Sequence, residues 1–106
     1  MFARVSRFVG LPPERIEATL KMFQEEYLPS IQQLQGFRGV EVMVDRQGGR
    51  AIATTYWETK EDLDASAKAV GQAREAAVSA LDPERPPLTE SYEILLSSKE
   101  SLTPAS

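Results

Sequence analysis

Residues 37–58, FRGVEVMVDRQGGRAIATTYWE, predict two antiparallel β-strands joined by a hairpin turn at Gln47-Gly48-Gly49. Apolar and polar side chains alternate along residues 37–45, as expected of a strand that buries one of its faces. The alternation places Val40, Val42 and Val44 on one face and Glu41, Met43 and Asp45 on the other. If the hairpin loop has an even number of residues, the second face also carries Ile52, Thr54 and Tyr56.

The segments that flank this hairpin predict one helix and one strand on each side of it. Residues 2–9 predict the first strand, and residues 13–34 predict an amphipathic helix with a kink or break at Pro29, which lacks a backbone donor. Thr59 begins a capping box, so a second helix is expected over residues 59–81. Residues 88–97 predict the fourth strand.

The order of these elements predicts an α+β ferredoxin-like domain of βαββαβ order, with a four-stranded antiparallel sheet that carries both helices on one face. The domain is expected to span residues 1–98, and residues 99–106 are expected to form a flexible C-terminal tail. The second face of the sheet is partly apolar, which favours a partner over water on that side.

Composition excludes several classes of function. The 106 residues include no cysteine and no histidine, which removes thiolate chemistry, the usual general base and the commonest metal and haem ligands. The net charge of −4 is dispersed and no basic stripe is present, so nucleic acid is not expected as a partner. No apolar run is long enough to span a membrane, and we expect a soluble cytoplasmic protein without metal or cofactor.

Five short segments, in their order and spacing, resemble the antibiotic biosynthesis monooxygenase family of the dimeric α/β barrel superfamily. They are YLP at 27–29, QGFRG at 35–39, VDR at 44–46, GRA at 49–51 and TYWETK at 55–60. The resemblance implies a homodimer with a small-molecule pocket between the sheet and the helices of each subunit. It also implies an activity among those of the family, which include cofactor-independent oxygenation of polyketide quinones and haem degradation.

The resemblance also points to individual residues. Trp57 matches a tryptophan that lies at the pocket in characterised relatives, Ser6 stands where haem-degrading relatives carry asparagine, and Ser66 stands where relatives frequently have histidine. Haem degradation is therefore not expected. The predicted catalytic residues are Trp57, Tyr27 and Ser6, and the predicted substrate-binding residues are Phe23, Thr55, Ser66, Val70 and Arg74.

Each of these residues also has a purely structural interpretation. A tryptophan at a strand end and a phenylalanine on a helix are more often core residues, whereas a buried tyrosine hydroxyl needs a hydrogen-bond partner and can orient a substrate. The predicted function is a cofactor-independent monooxygenase for a flat aromatic or polyketide-like molecule. The alternative is a non-catalytic dimeric ligand-binding or accessory protein. An empty cavity that touches Trp57 would favour a ligand site, and Trp57→Phe would then weaken ligand binding more than stability.

Overall fold

The computed structural model describes residues 1–102 and contains one antiparallel sheet covered by helices on one face. The strands are β1 (Phe2–Phe8), β2 (Phe37–Asp45), β3 (Arg50–Trp57) and β4 (Leu88–Glu93), in the spatial order β2-β3-β1-β4. Every neighbouring pair is antiparallel. The predicted ferredoxin-like α+β fold is confirmed.

The β2–β3 hairpin has the register that the alternation requires. Asp45 pairs with Arg50 and Met43 pairs with Ile52, so the loop 46–49 has an even number of residues. The loop is closed by Asp45, whose Oδ1 accepts a hydrogen bond from the backbone N–H of Gly48 at 3.0 Å. The predicted face assignment is therefore correct, and Trp57 and Tyr56 point to opposite faces of the sheet.

The first helical region is interrupted in the turn before Pro29. Helix α1 (Pro13–Met22) continues into a π-helical turn (Phe23–Tyr27) and then into α2 (Leu28–Gln32). The backbone N–H of Leu28 donates to the carbonyl oxygen of Phe23, five residues earlier. Pro29 has no N–H to donate to the preceding turn, and its ring would clash with that turn in a regular α-helix. The wider π-helical turn avoids this clash. The irregularity predicted near Pro29 is therefore a π-helical turn and not a break, and the helical region ends at Gln32, two residues before the predicted end.

The second helix was predicted as one element, and this prediction is wrong at Ser66. Helix α3 (Lys60–Ala65) and helix α4 (Ala67–Leu81) meet at this residue. The Ser66 hydroxyl donates to the carbonyl oxygen of Leu63 at 2.6 Å, which competes with regular helical geometry. The predicted N-cap is confirmed, because the Thr59 hydroxyl accepts a hydrogen bond from the backbone N–H of Asp62 at 3.0 Å.

The C-terminal part of the chain differs from the prediction. Strand β4 ends at Glu93 and not at residue 97. The expected flexible tail does not begin at residue 99, because residues Glu100–Leu102 form a 3₁₀ turn against β2 in which Leu102 is only 4 % exposed. The Arg38 side chain donates to the carbonyl oxygen of Ser101 at 3.1 Å and holds this turn. Residues 103–106 of the predicted tail lie outside the described part of the chain.

Two apolar clusters fill the space between the sheet and the helices. The first contains Phe8, Leu11, Ile16, Ala51 and Leu81. The second contains Ile31, Trp57, Leu63, Val70 and Ala73. Within residues 1–102, no helix has the combination of length and apolarity that a membrane crossing needs. A cavity borders both clusters, and it is the candidate functional site.

Candidate functional site

The cavity lies between the helix-covered face of the sheet and the helices, has a volume of about 100 Å³, and is partly open to solvent. Most of its wall is apolar, and its larger apolar residues include Phe8, Leu11, Phe23, Val42, Val44 and Val70. Its polar residues are Arg4, Ser6, Thr19, Thr55 and Arg74. The period of two in the strands and the spacing of three or four in α4 bring these residues to one space.

Five of the predicted site residues line this cavity together: Ser6, Phe23, Thr55, Val70 and Arg74. Ser6 and Thr55 come from neighbouring strands, and Val70 and Arg74 lie one turn apart on α4. Phe23 lies at the beginning of the π-helical turn. Their placement is compatible with ligand contact, and their individual roles remain predictions.

Trp57 does not line the cavity, contrary to what the resemblance implied. It is fully buried, packs with Ile31 and Leu63, and meets the ring of Phe37 edge-on at a centroid distance of 5.6 Å. Its indole N–H donates to the Thr55 hydroxyl oxygen at 3.0 Å. Because that oxygen accepts the indole bond, the Thr55 hydroxyl keeps its own proton for donation. Trp57 therefore affects the cavity through Thr55 and not by contact.

Tyr27 and Ser66 also lie outside the cavity wall. Tyr27 is half-buried and packs against the cluster around Trp57. Ser66 is buried at the junction of α3 and α4, where its hydroxyl oxygen accepts a hydrogen bond from Arg4 at 2.7 Å. Both residues pack behind the residues that line the cavity. Neither therefore contacts the cavity space in this structure.

Arg4 is a cavity residue that the sequence analysis missed. It is 7 % exposed, and its guanidinium donates to the Ser66 hydroxyl at 2.7 Å and to the carbonyl oxygen of Leu63 at 2.8 Å. Burial lowers the pKa of Arg4, the charge of Arg74 lowers it further, and Asp64 partly opposes both effects. The alternation in β1 predicts its position, because it places Arg4 on the same face as Ser6 and Phe8.

Arg74 is the second guanidinium at the cavity. Its Nη1 atom is buried and has no hydrogen-bond partner within the described residues. The ion pairs of residues 1–102 involve neither Arg74 nor Arg4. Among the described residues, the cavity wall thus contains two arginines and no carboxylate.

The titratable groups of the cavity wall restrict its chemistry. Arg4 and Arg74 are the titratable residues among those that line it, and neither acts as a general base near neutral pH. Across residues 1–102, no group of three or more acidic side chains is arranged to hold a metal ion. The available polar contributions are therefore hydrogen bonds from Ser6 and Thr55 and positive charge from the arginines.

A separate polar cluster lies on the opposite face of the sheet. The Tyr56 hydroxyl donates to Glu41 at 2.6 Å, and Lys99 forms an ion pair with the same carboxylate. Burial and the Glu41 carboxylate raise the pKa of Tyr56 to about 12. The hydrogen bonds from Lys99 and Tyr56 lower the pKa of Glu41. This cluster fastens the C-terminal turn to β2 and takes no part in the cavity.

Comparison with known proteins locates the fold among solved structures. No family model matches the chain. The uncharacterized protein Rv2558 of Mycobacterium tuberculosis is 35 % identical over 73 % of this chain, which spans only 32 % of that protein. The monooxygenase from the gene ActVA-Orf6 of Streptomyces coelicolor, solved with nanaomycin D, superposes with a TM-score of 0.70 at 18 % identity, covering 91 % of this chain and 92 % of that one.

A solved antibiotic biosynthesis monooxygenase gives the same result. It superposes with a TM-score of 0.66 at 13 % identity and covers 91 % of this chain and 100 % of that one. Identities this low establish a shared fold and carry no activity or substrate with them. The resemblance seen in the sequence is confirmed at the level of architecture: the chain has the α+β fold of the antibiotic biosynthesis monooxygenase domains.

Proposed function

We propose that this domain binds a small flat aromatic molecule in its cavity and acts on it as a cofactor-independent monooxygenase. The observation that carries the proposal is the largely apolar cavity between sheet and helices, in a fold shared with a monooxygenase. Ligand pockets typically combine apolar walls with a few polar groups that fix orientation. Ser6 and Thr55 supply such groups on one wall. A cytoplasmic site of action is part of the same proposal.

The volume of the cavity limits the size of the substrate that it can hold. At about 100 Å³ it is smaller than the few hundred Å³ of most drug-sized ligand pockets. An apolar cavity of roughly 150 Å³ is known to accept benzene, so this space suits a single ring better than several fused rings. A one-ring compound with an activated methylene group is therefore preferred over a polyketide.

The proposed reaction draws its electrons from the substrate. Loss of a proton leaves a substrate carbanion, which passes one electron to O₂, and the two radicals combine through a new C–O bond to give a peroxide. Protonation of the peroxide, loss of the second C–H proton and cleavage of the O–O bond then release water and leave a carbonyl, so that O₂ supplies one oxygen atom to the product and one to water. The chain contributes an apolar space, which orients the ring. Thr55 and Ser6 contribute hydrogen bonds to a substrate oxygen. Water takes the substrate proton, since the cavity is partly open to solvent and no base lines it within residues 1–102.

A non-catalytic ligand-binding function is the second candidate. It is favoured by the position of Trp57 and Tyr27 behind the cavity wall and by the absence of a general base among the residues that line the cavity. The two candidates share the cavity and the ligand class. They differ in whether oxygen is consumed.

Oxygen uptake by the purified protein separates the two candidates. We expect uptake above the protein-free rate with a one-ring activated methylene compound such as phenylacetone, and loss of that uptake in Ala53→Leu, which fills the cavity. Ala65→Leu, the same change at an exposed position of α3, is the matched control. Ligand binding that Ala53→Leu abolishes, without any uptake by the unaltered protein, would establish the non-catalytic function instead.

A further inference from the structure

Arg4 and Arg74 face one cavity from two different structural layers. Arg4 belongs to β1 and Arg74 to α4, and both line the same largely apolar space. They are close enough for the charge of Arg74 to perturb Arg4. In the part of the chain that the structure describes, the residues that line the cavity include no acidic side chain to balance these charges.

The described residues provide hydrogen-bond partners for only part of these two guanidinium groups. Arg4 is anchored by its two hydrogen bonds to Ser66 and Leu63, whereas Arg74 Nη1 is buried without a partner in the described residues. Burial of an unpartnered cationic donor is unfavourable, and a second cation nearby adds repulsion. Such a group is retained at a cost in stability, and a bound anion would offset both penalties.

From this geometry we infer that the cavity binds an aromatic monocarboxylate, with its carboxylate between Arg4 and Arg74 and its ring against the apolar wall. A guanidinium presents planar, parallel N–H donors that match the two oxygens of a carboxylate. The anchoring of Arg4 by Ser66 and Leu63 fixes one side of this clamp in advance. The small, mostly apolar space suits a singly charged group better than a dianionic phosphate. The inference deepens the proposed function, since it uses the same cavity and names the charge of the ligand.

Titration calorimetry with benzoate and with benzamide tests the inference, because the two probes have nearly the same shape and differ in charge. We expect benzoate to bind the unaltered protein at least tenfold more tightly than benzamide. Arg74→Gln should weaken benzoate binding at least tenfold while benzamide affinity stays within twofold. Arg46→Gln is the matched control, since Arg46 is exposed, pairs with Glu17, and does not line the cavity.

A second variant, Arg74→Lys, keeps the inference testable if Arg74→Gln does not fold. Lysine keeps the charge but loses the planar fork, so benzoate should bind more weakly than to the unaltered protein and still more tightly than benzamide. Equal affinity of the unaltered protein for the two probes would overturn the inference. Equal weakening of both probes by Arg74→Gln would do the same, and so would tighter binding of 4-nitrophenolate than of benzoate at a pH where both are ionised.

The binding test is independent of the proposed oxygenation. Benzoate and benzamide are titrated without turnover, whereas oxygen uptake is measured with oxidisable substrates. Discrimination between the probes without oxygen uptake would support the carboxylate site and contradict the monooxygenase. Oxygen uptake without discrimination would support the monooxygenase and contradict the carboxylate site.

Discussion

Thr55 and Trp57 lie two residues apart on β3 and point to the same face of the sheet, yet only Thr55 reaches the cavity. The difference arises from what covers each residue. Ile31 and Leu63 pack over the end of the strand and enclose Trp57, while the middle of β3 faces the open space below α4. The hydrogen bond between the two side chains makes the indole a support for the cavity wall.

This position reverses the expected effect of Trp57→Phe. The smaller ring leaves space in the core and removes the indole donor, so we expect the free energy of unfolding to fall by about 1–3 kcal/mol. Ligand affinity should change less than threefold, because Trp57 does not line the cavity. Urea denaturation and calorimetry on the same variant measure both effects, with Gln72→Ala at an exposed position of α4 as the control. A large loss of affinity at unchanged stability would restore Trp57 as a ligand contact.

Tyr56 gives a pH-dependent prediction. Its pKa of about 12 in the folded chain exceeds the value of 10.0 for an unperturbed tyrosine, so the folded state holds this proton more tightly than the unfolded state. The stability that the protonated Tyr56 contributes to the folded state is fully present below pH 10 and is lost as the pH rises towards 12. Thermal unfolding should therefore show a steeper loss of stability above pH 10 in the unaltered protein than in Tyr56→Phe. Parallel curves for the two proteins would contradict this prediction.

At the scale of the elements, regular patterns in the sequence predicted most of the fold. Period-two alternation identified β2 and the face that it turns towards the helices, and the missing backbone donor of Pro29 located the irregularity of the first helix. The break at Ser66 was not predictable in this way. The Ser66 hydroxyl donates to Leu63 and also accepts a hydrogen bond from Arg4, which is 62 residues away in the chain and comes close only once the sheet has formed.

The difference between local patterns and contacts over long sequence distances also explains which residues of the candidate site could be predicted. Ser6 was found through the family resemblance, and Thr55 belongs to one of the resembling segments. Val70 was found on the apolar face of the predicted second helix, in which Arg74 also lies. The positions of Tyr27 and Trp57 behind the wall depend on how the helices cross the end of the sheet, which no local pattern encodes. Arg4 was missed because a charged residue in a strand is ordinarily assigned to solvent.

The N-cap of α3 provides a prediction at this scale. Thr59→Ala removes the acceptor for the backbone N–H of Asp62 and should lower the free energy of unfolding by about 1 kcal/mol. Thr59→Ser keeps the hydroxyl and should retain most of that stability. Ser79→Ala, at an exposed position of α4 away from any cap, is the control and should cause no loss. Urea denaturation of the three variants measures the differences, and equal stability of Thr59→Ala and the unaltered protein would show that the cap is not needed.

At the scale of the whole molecule, the face of the sheet opposite the helices is partly apolar. Met43 and Leu88 on this face are 55 % and 60 % exposed, and Tyr92 lies on the same side. Leu95 and Leu96 follow β4 and are almost fully exposed. The polar groups of this face are engaged with one another, as in the Arg7–Glu90 ion pair. Large exposed apolar side chains on one face mark an interaction surface in a chain this small.

We therefore predict a homodimer in which the two sheets pack through these faces. Sedimentation at micromolar concentration should give twice the chain mass of 11.8 kDa. Met43→Glu should shift the protein towards the monomer, since it would place a charge in the apolar part of the interface. Gln72→Glu adds the same charge at an exposed position of α4 and should leave the mass unchanged. A monomer at micromolar concentration, or a dimer that Met43→Glu does not weaken, would show that this face does not join two copies.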